Sequence, residues 1–188
     1  MKEKNYVMVL VPGSCIDCKA CTVACKAQNK VPLGEECFRT EILEGEKIES
    51  GQVRGINFMP LLCFHCENAP CISVCPTSAS YHNEDGMVLV DPDRCIGCRM
   101  CMLACPYNAR YYNEHEGVVD KCTFCMERLE ADMKPACAST CPTEARVFGD
   151  LNDKNSEVYK LLHQKAKKVW QPKANMLGVK PRVYYVEV

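Results

Sequence analysis

Apolar and polar residues alternate in short stretches along this chain, and few stretches keep one period for long. Residues 76–94 hold Ala79-Ser80-Tyr81-His82, a turn at Glu84-Asp85-Gly86 and then Met87-Val88-Leu89-Val90, the pattern of a β-hairpin. Residues 106–121 repeat it with Arg110-Tyr111-Tyr112, a turn near Glu116-Gly117 and Val118-Val119. Phe38 to Leu43 and Val53 to Met59 read as strands flanking a polar turn around Glu44-Gly45-Glu46. From Ser156 to Trp170, the residues Val158, Leu161, Leu162, Ala166 and Val169 share one side of a predicted helix, and Arg182-Val183-Tyr184-Tyr185-Val186 reads as a last strand. A membrane span needs about 20 consecutive apolar residues, and the longest runs here reach about a quarter of that. One such run, Val7 to Val11, follows Lys2 and Lys4, but it is too short for the core of an export signal and no small-residue cleavage site follows. No Arg-Arg pair of a twin-arginine signal occurs either. The expectation is an α+β chain, loop-rich, with short helices and β-hairpins.

Composition changes this picture at one residue type. The chain has 188 residues, room for one domain or two very small ones. Lys and Arg number 23 against 24 Asp and Glu, a formal net charge of −1, which argues against a nucleic-acid binder held by a broad basic field. Cysteine numbers 17. The apolar share of 47% counts those cysteines, and without them it is thin for a chain held together by core burial alone.

The cysteines organise an internal repeat. Block one is Cys15, Cys18, Cys21 and Cys25; block two is Cys63, Cys66, Cys71 and Cys75. Block three is Cys95, Cys98, Cys101 and Cys105; block four is Cys122, Cys125, Cys137 and Cys141. Only Cys37 is left over. Each block ends in Cys-x3-Cys. Pro76, Pro106 and Pro142 follow three of the final cysteines, and Lys26 takes that place in block one.

Three thiolates two residues apart turn onto three corners of a cubane, and a fourth reaches a neighbouring cluster, as in two-cluster bacterial ferredoxins. A proline after the fourth cysteine suits the first turn of a helix. Zinc takes separated pairs and has no use for the third and fourth cysteines. Disulfide geometry cannot be met by cysteines packed this closely. Sixteen cysteines therefore predict four [4Fe-4S] clusters, and folding coupled to their insertion. Four clusters with their thiolates make the loaded chain strongly acidic. Lys19, Lys26, Arg99, Lys121 and Arg128 lie beside the blocks as candidate offsetting charges, with ordinary surface charge as the plain alternative. Spacing does not decide whether block three shares clusters with block two or block four. No phosphate-binding loop or nucleophile motif is present, so no catalysis is expected of this chain alone. Of His65, His82, His115 and His163, only His65 lies inside a block, where it tunes a cluster or is a satisfied histidine.

The blocks CIDCKACTVACKAQNKVP, CFHCENAPCISVCPTSASY, DGMVLVDPDRCIGCRMCMLACPYNARYY and DKCTFCMERLEADMKPACASTCPTEARVFGDL resemble the four-cluster electron-transfer subunits of the dimethyl-sulfoxide reductase superfamily of molybdoenzymes. Within it, polysulfide, thiosulfate and tetrathionate reductase small subunits are the nearest in kind. The eleven-residue insert between Cys125 and Cys137 and the tail LGVKPRVY fit that family. The resemblance implies two interleaved ferredoxin-like two-cluster halves. One spans 1–62 plus 116–150 with blocks one and four, and the other spans 63–115 with blocks two and three. A tail, 151–188, completes the chain. It implies Cys15, Cys18, Cys21 and Cys141 on one cluster, and Cys63, Cys66, Cys71 and Cys105 on another. It further implies Cys95, Cys98, Cys101 and Cys75 on a third, and Cys122, Cys125, Cys137 and Cys25 on a fourth. The partners implied are a large molybdenum or tungsten pterin catalytic subunit and a membrane-integral quinone-reactive anchor, with no nucleic acid and no span in this chain. The implied place is peripheral on a membrane complex, cytoplasmic or co-exported to the periplasmic side with a partner. The implied task is electron relay for reduction of an inorganic sulfur compound. The alternatives are a formate dehydrogenase or hydrogenase subunit, and a zinc-stabilised interaction module.

Overall fold

A computed structural model describes residues 4–34, 36–49, 52–172 and 178–188, with the backbone alone described for 47–49 and 52–54. Residues 1–3, with Lys2, and Leu177 of the tail motif lie outside the described residues. The first strand, β1 (Tyr6–Leu10), holds Val7 to Leu10 of the apolar run that is too short for an export signal. It is buried on both faces, which is why it shows no polar alternation. Val7 and Val9 pack with Val158 and Val186 on one side. Met8 and Leu10 face the other, among Phe148, Val183, Tyr185 and several cysteines. The rest follows as α1 (Ala20–Asn29), β2 (Thr40–Glu49), β3 (Gln52–Leu62), α2 (Pro70–Ser73), β4 (Ser80–His82), β5 (Val88–Val90), α3 (Met100–Leu103), β6 (Tyr111–Asn113) and β7 (Val118–Asp120). Then come α4 (Met126–Glu130), α5 (Ala136–Ser139), β8 (Arg146–Asp150), α6 (Glu157–Lys160), β9 (Lys168–Trp170) and β10 (Val183–Glu187).

Among the described residues one four-stranded sheet runs β8-β1-β10-β9, and three two-stranded hairpins complete the strands. β1 pairs antiparallel with β8 and parallel with β10, with Met8 opposite Val183. Both expected small hairpins form, β4 with β5 and β6 with β7, and so does the last strand. Among the described residues no helix is long and apolar enough to cross a membrane.

Two expectations are corrected. Glu44-Gly45-Glu46 is not a turn: the three residues lie inside β2, opposite Phe58, Asn57 and Ile56. Glu44, Gly45 and Glu46 are all exposed, so their polarity marks a solvated ribbon and not a reversal. The predicted helix 156–170 is cut short. Ser156 caps it by accepting from the Tyr159 N–H at 3.2 Å, but α6 passes into a single wide turn over Leu161–Lys165, and Ala166 is extended. Beyond it, β9 pairs with β10, and the Trp170 ring stacks on Tyr185 at 4.5 Å between centroids. Strand pairing and stacking there override the helical period.

The tail also straps block two. The N–H groups of Glu67 and Asn68 donate to the carbonyls of Lys180 and Val179, and the Arg182 N–H donates to that of Phe64. The Arg182 guanidinium then reaches the Asp85 carbonyl at 2.7 Å, in the space left open by Gly86.

Candidate metal centres

The four blocks share one local geometry. In each opening Cys-x-x-Cys, the residue two after the first cysteine has positive φ: Asp17 at 56°, His65 at 44°, Gly97 at 65° and Phe124 at 53°. That residue folds the loop back, and only block three fills it with glycine. At Gly97 a Cβ would stand 2.5 Å from the Gly117 carbonyl oxygen, so the β6–β7 turn leaves no room for one. The third cysteine sits in the first turn of a helix in every block: Cys21 in α1, Cys71 in α2, Cys101 in α3 and Cys137 in α5.

The prolines after the fourth cysteines do not open helices, contrary to the expectation from sequence. Each takes the second place of a turn closed by the N–H of Ser78, Asn108 or Glu144 on the carbonyl of Cys75, Cys105 or Cys141. Those three closing residues have φ between 51° and 53°, a conformation that ends a right-handed helix. Block one has Lys26 in place of proline, and α1 accordingly runs on to Asn29. The Lys26 ammonium turns back to the carbonyls of Pro32 and Gly34 at 3.0 and 3.1 Å.

Cysteines from different blocks come together. Cys15, Cys18 and Cys21 line one cavity with Cys141. Cys122, Cys125 and Cys137 line another with Cys25. Cys63, Cys71 and Cys105 are the ionisable neighbours of Cys66. Cys95 and Cys75 are the cysteines that neighbour Cys101, with Cys98 on the exposed turn between Cys95 and α3. Cys37 is half-buried and belongs to none of these groups. Among the described residues no three His, Cys, Asp or Glu side chains converge closely enough to hold a single metal ion; the cysteines surround volumes instead.

The groups differ in depth. Cys25, Cys122, Cys125 and Cys137 are all buried, as are Cys63, Cys66 and Cys71. Cys18 and Cys98 are exposed. The two deep groups adjoin, since Cys63 is among the ionisable neighbours of Cys122. Arg146 adjoins Cys21 and Cys141 on one side and Cys137 and Cys122 on the other. Arg110 adjoins Cys71 and Cys63 on one side and Cys101 on the other. The groups thus adjoin in the sequence Cys18 group, Cys25 group, Cys66 group and Cys98 group.

Three buried cations lie along this line: Arg110, Arg146 and Lys121, at 4%, 3% and 1% exposure. Such charges are tolerated only beside compensating negative charge. The Arg110 guanidinium donates to Cys71 Sγ at 2.9 Å and to Ser80 Oγ at 3.1 Å. Both Nη atoms of Arg146 are buried without a hydrogen-bond partner among the described residues. Sequence reading missed both arginines. The signal was present: Cys105-Pro-Tyr-Asn-Ala-Arg110 and Cys141-Pro-Thr-Glu-Ala-Arg146 are one motif, with Ser80 in the corresponding place of block two. Of the five candidate charges named from sequence, only Lys121 is buried among cysteines. Lys19 pairs with Asp17 at 2.6 Å, Lys26 closes its loop, Arg99 lies over the Tyr112 ring and Arg128 binds the Lys134 carbonyl.

Smaller donors supplement the cations. Asn29 Nδ2 lies 3.5 Å from Cys25 Sγ and 3.7 Å from Cys125 Sγ. Arg39 holds the Asn29 oxygen at 3.0 Å while its own guanidinium grips Asp120 with two bonds at 2.8 and 2.9 Å. The Ser80 N–H and Thr77 hydroxyl approach Cys75 Sγ, and the Thr143 hydroxyl approaches Cys141 Sγ. His65 is buried and accepts the Val88 N–H on Nδ1 at 3.2 Å, leaving Nε2 unpartnered. Burial, then the nearby cations Lys121, Arg182 and Arg110, hold its pKa well below the ordinary value, so the ring is neutral.

This donor set fits iron–sulfur clusters. Burial pushes the Cys25 and Cys66 thiols up to about 12, and neighbouring cysteines push them the same way. Such thiols lose their protons only against strong positive charge, which iron and the buried cations supply.

Comparison with known proteins agrees. A family model described as a 4Fe-4S dicluster domain matches residues 55–151, and one described as a 4Fe-4S binding domain matches residues 12–28. The B subunit of tetrathionate reductase from Salmonella typhimurium is 42% identical over 185 residues, covering 97% of this chain and 72% of the relative. The thiosulfate reductase electron transfer subunit PhsB of Salmonella typhi is 49% identical over 162 residues, covering 86% and 83%. The B polypeptide of polysulfide reductase from Wolinella succinogenes is 42% identical over 185 residues, covering 97% and 94%. With the cysteine blocks, the buried cations and these matches in hand, the chain belongs to the 4Fe-4S dicluster family, among the iron–sulfur electron-transfer subunits of molybdoenzyme type.

Proposed function

We propose that this chain is the electron relay of a membrane-associated reductase for an inorganic sulfur compound. It stands between a quinone-reactive membrane subunit and a molybdenum or tungsten pterin catalytic subunit. Four [4Fe-4S] clusters, when bound, supply one-electron redox chemistry. Cys15, Cys18, Cys21 and Cys141 hold the first, and Cys122, Cys125, Cys137 and Cys25 the next in line. Cys63, Cys66, Cys71 and Cys105 hold the third, and Cys95, Cys98, Cys101 and Cys75 the last. Blocks one and four with 1–62 and 116–150 form one half of the relay, and 63–115 forms the other. The side of the membrane follows from the partners.

The observation that carries this reading is the difference in depth: all four cysteines of the Cys25 group and three of the Cys66 group are buried, while Cys18 and Cys98, in the two other groups, are exposed. The buried groups keep water from the transit path, and the exposed cysteines are where partners come within reach. The names of the tetrathionate, thiosulfate and polysulfide reductase relatives support the substrate class.

The test is metal analysis of the complex isolated without oxygen from its source. About 16 iron per copy of this chain, plus any iron in its partners, with molybdenum or tungsten, is the expected result. Nickel places the chain in a hydrogenase instead, and zinc without iron overturns the reading. Cys66→Ser is expected to lower the iron content, and Cys37→Ser to leave it unchanged.

A further inference from the structure

We propose that Lys121 is the residue that joins the two halves of the relay electrically: its buried ammonium lies between the inner cysteine groups and raises the reduction potentials of both inner clusters together. This rests on the four-cluster reading above. Lys121 follows β7 and is 1% exposed, among the largest fully buried side chains of the protein. Lysine is almost never so buried without an anionic partner. Among the described residues no carboxylate pairs with it. Asp120, its neighbour in sequence, is occupied by Arg39 and Tyr111.

The hydrogen bond Lys121 makes among the described residues goes to the Cys122 carbonyl, and an ammonium has three donors. Burial lowers the Lys121 pKa, and Cys63, Cys122 and Cys71 act against it in favour of the charged form. Two of these belong to the Cys66 group and one to the Cys25 group, which lie on opposite sides of the boundary between the halves.

The other charged neighbour makes the case stronger. Arg110 bears on the same space and repels Lys121. Two cations share an interior region that is free of carboxylates among their named neighbours. The arrangement is stable only if the cysteine groups on either side carry substantial negative charge. Arg110 bridges one inner group to an outer group, and Arg146 does the same in the other half. Lys121 alone among the three faces both inner groups. A fixed positive charge favours the more negative, reduced form of whatever it adjoins. One electron leaves one inner cluster and the same electron reduces the other, with no proton or atom transferred. Lys121 lowers the energy of the electron at both ends of that step.

The experiment uses the whole complex, prepared without oxygen, with Lys121→Met and Lys121→Arg in this chain. Iron content is measured first; wild-type complex lacking the expected iron refutes the cluster reading and not the role of Lys121. Redox titration followed by electron paramagnetic resonance then reads each cluster. A soluble dysprosium complex distinguishes outer clusters, whose relaxation it speeds, from inner ones. Lys121→Met is expected to lower both inner potentials by at least about 59 mV, a tenfold change in a one-electron equilibrium, and to leave the outer two in place. Lys121→Arg is expected to restore them. Unchanged inner potentials, or an equal shift of all four, overturn the proposal. If Lys121→Met loses iron, the unmutated complex grown on lysine labelled with nitrogen-15 at Nζ decides. Lysine-nitrogen coupling on both inner-cluster signals supports the proposal, and its absence from either overturns it.

Discussion

The His65 and Phe124 rings stack at 3.8 Å between centroids with their planes 22° apart. They occupy the same place in blocks two and four, the left-handed residue of Cys-x-x-Cys, so the two blocks meet through corresponding side chains. Phe124 also packs edge-on against Phe148 of the central sheet. Phe124→Ala is expected to remove about 3–5 kcal/mol. The check is the rate at which visible absorbance bleaches in chaotrope, which should rise well above that of the wild type.

The two buried arginines should act on different pairs of clusters. Arg146→Gln is expected to lower the potentials of the groups containing Cys21 and Cys137. Arg110→Gln should lower those containing Cys71 and Cys101, with the added loss of the bond to Cys71 Sγ. Redox titration of each variant checks this; the same pattern in both would contradict the placement of the arginines.

At Gly97 two demands coincide, a φ of 65° and the Gly117 carbonyl 2.5 Å from where a Cβ would stand. Gly97→Ala is expected to cost at least about 1–3 kcal/mol and to loosen the outer group at Cys98. Iron retained after brief exposure to oxygen should fall in this variant, while Gly13→Ala, which meets open space, serves as the unaffected control.

Asn29 presents its amide to two sulfurs while Arg39 fixes its oxygen. Asn29→Asp replaces that donor with an acceptor and is expected to lower the potential of the Cys25 group alone. A titration in which that potential stays put would show that the amide does not reach the cluster.

Iron removal tests the link between metal and fold. Stripping iron anaerobically is expected to abolish most far-ultraviolet circular dichroism, because cysteines make up so much of the buried interior. Any folded metal-free fraction should weaken with alkali. Cys25 and Cys66 have folded values of about 12 against an ordinary 9.0. Their protons favour the folded form fully below pH 9, and that contribution is lost as pH climbs toward 12. Residual dichroism that is flat across this window would speak against buried thiols.

Sequence made the cysteine blocks and both short hairpins legible, because each depends on local spacing and on turn residues such as Gly86 and Gly117. It missed β1, since a strand buried on both faces lacks alternation. It missed Arg110 and Arg146, since nothing in one residue's neighbourhood says that it points inward; only the repetition of the Cys-Pro motif could have. The overlong helix at 156–170 failed for a distant reason. Trp170 stacks on Tyr185, and no periodicity within 156–170 encodes that contact.

Strand β1 takes its place beside β10, joining residues 6–10 to residues 183–187. While the protein is being made, the first strand must therefore wait for a partner that leaves the ribosome some 170 residues later. Until then Met8 and Leu10 have only part of their cover, and the wall they form over the cysteine interior is incomplete. Cluster delivery thus has a natural order: the cysteine blocks are all synthesised before the sheet that seals them can shut. A truncation that spares every cysteine but removes β10 would leave a protein able to receive iron and poorly able to keep it.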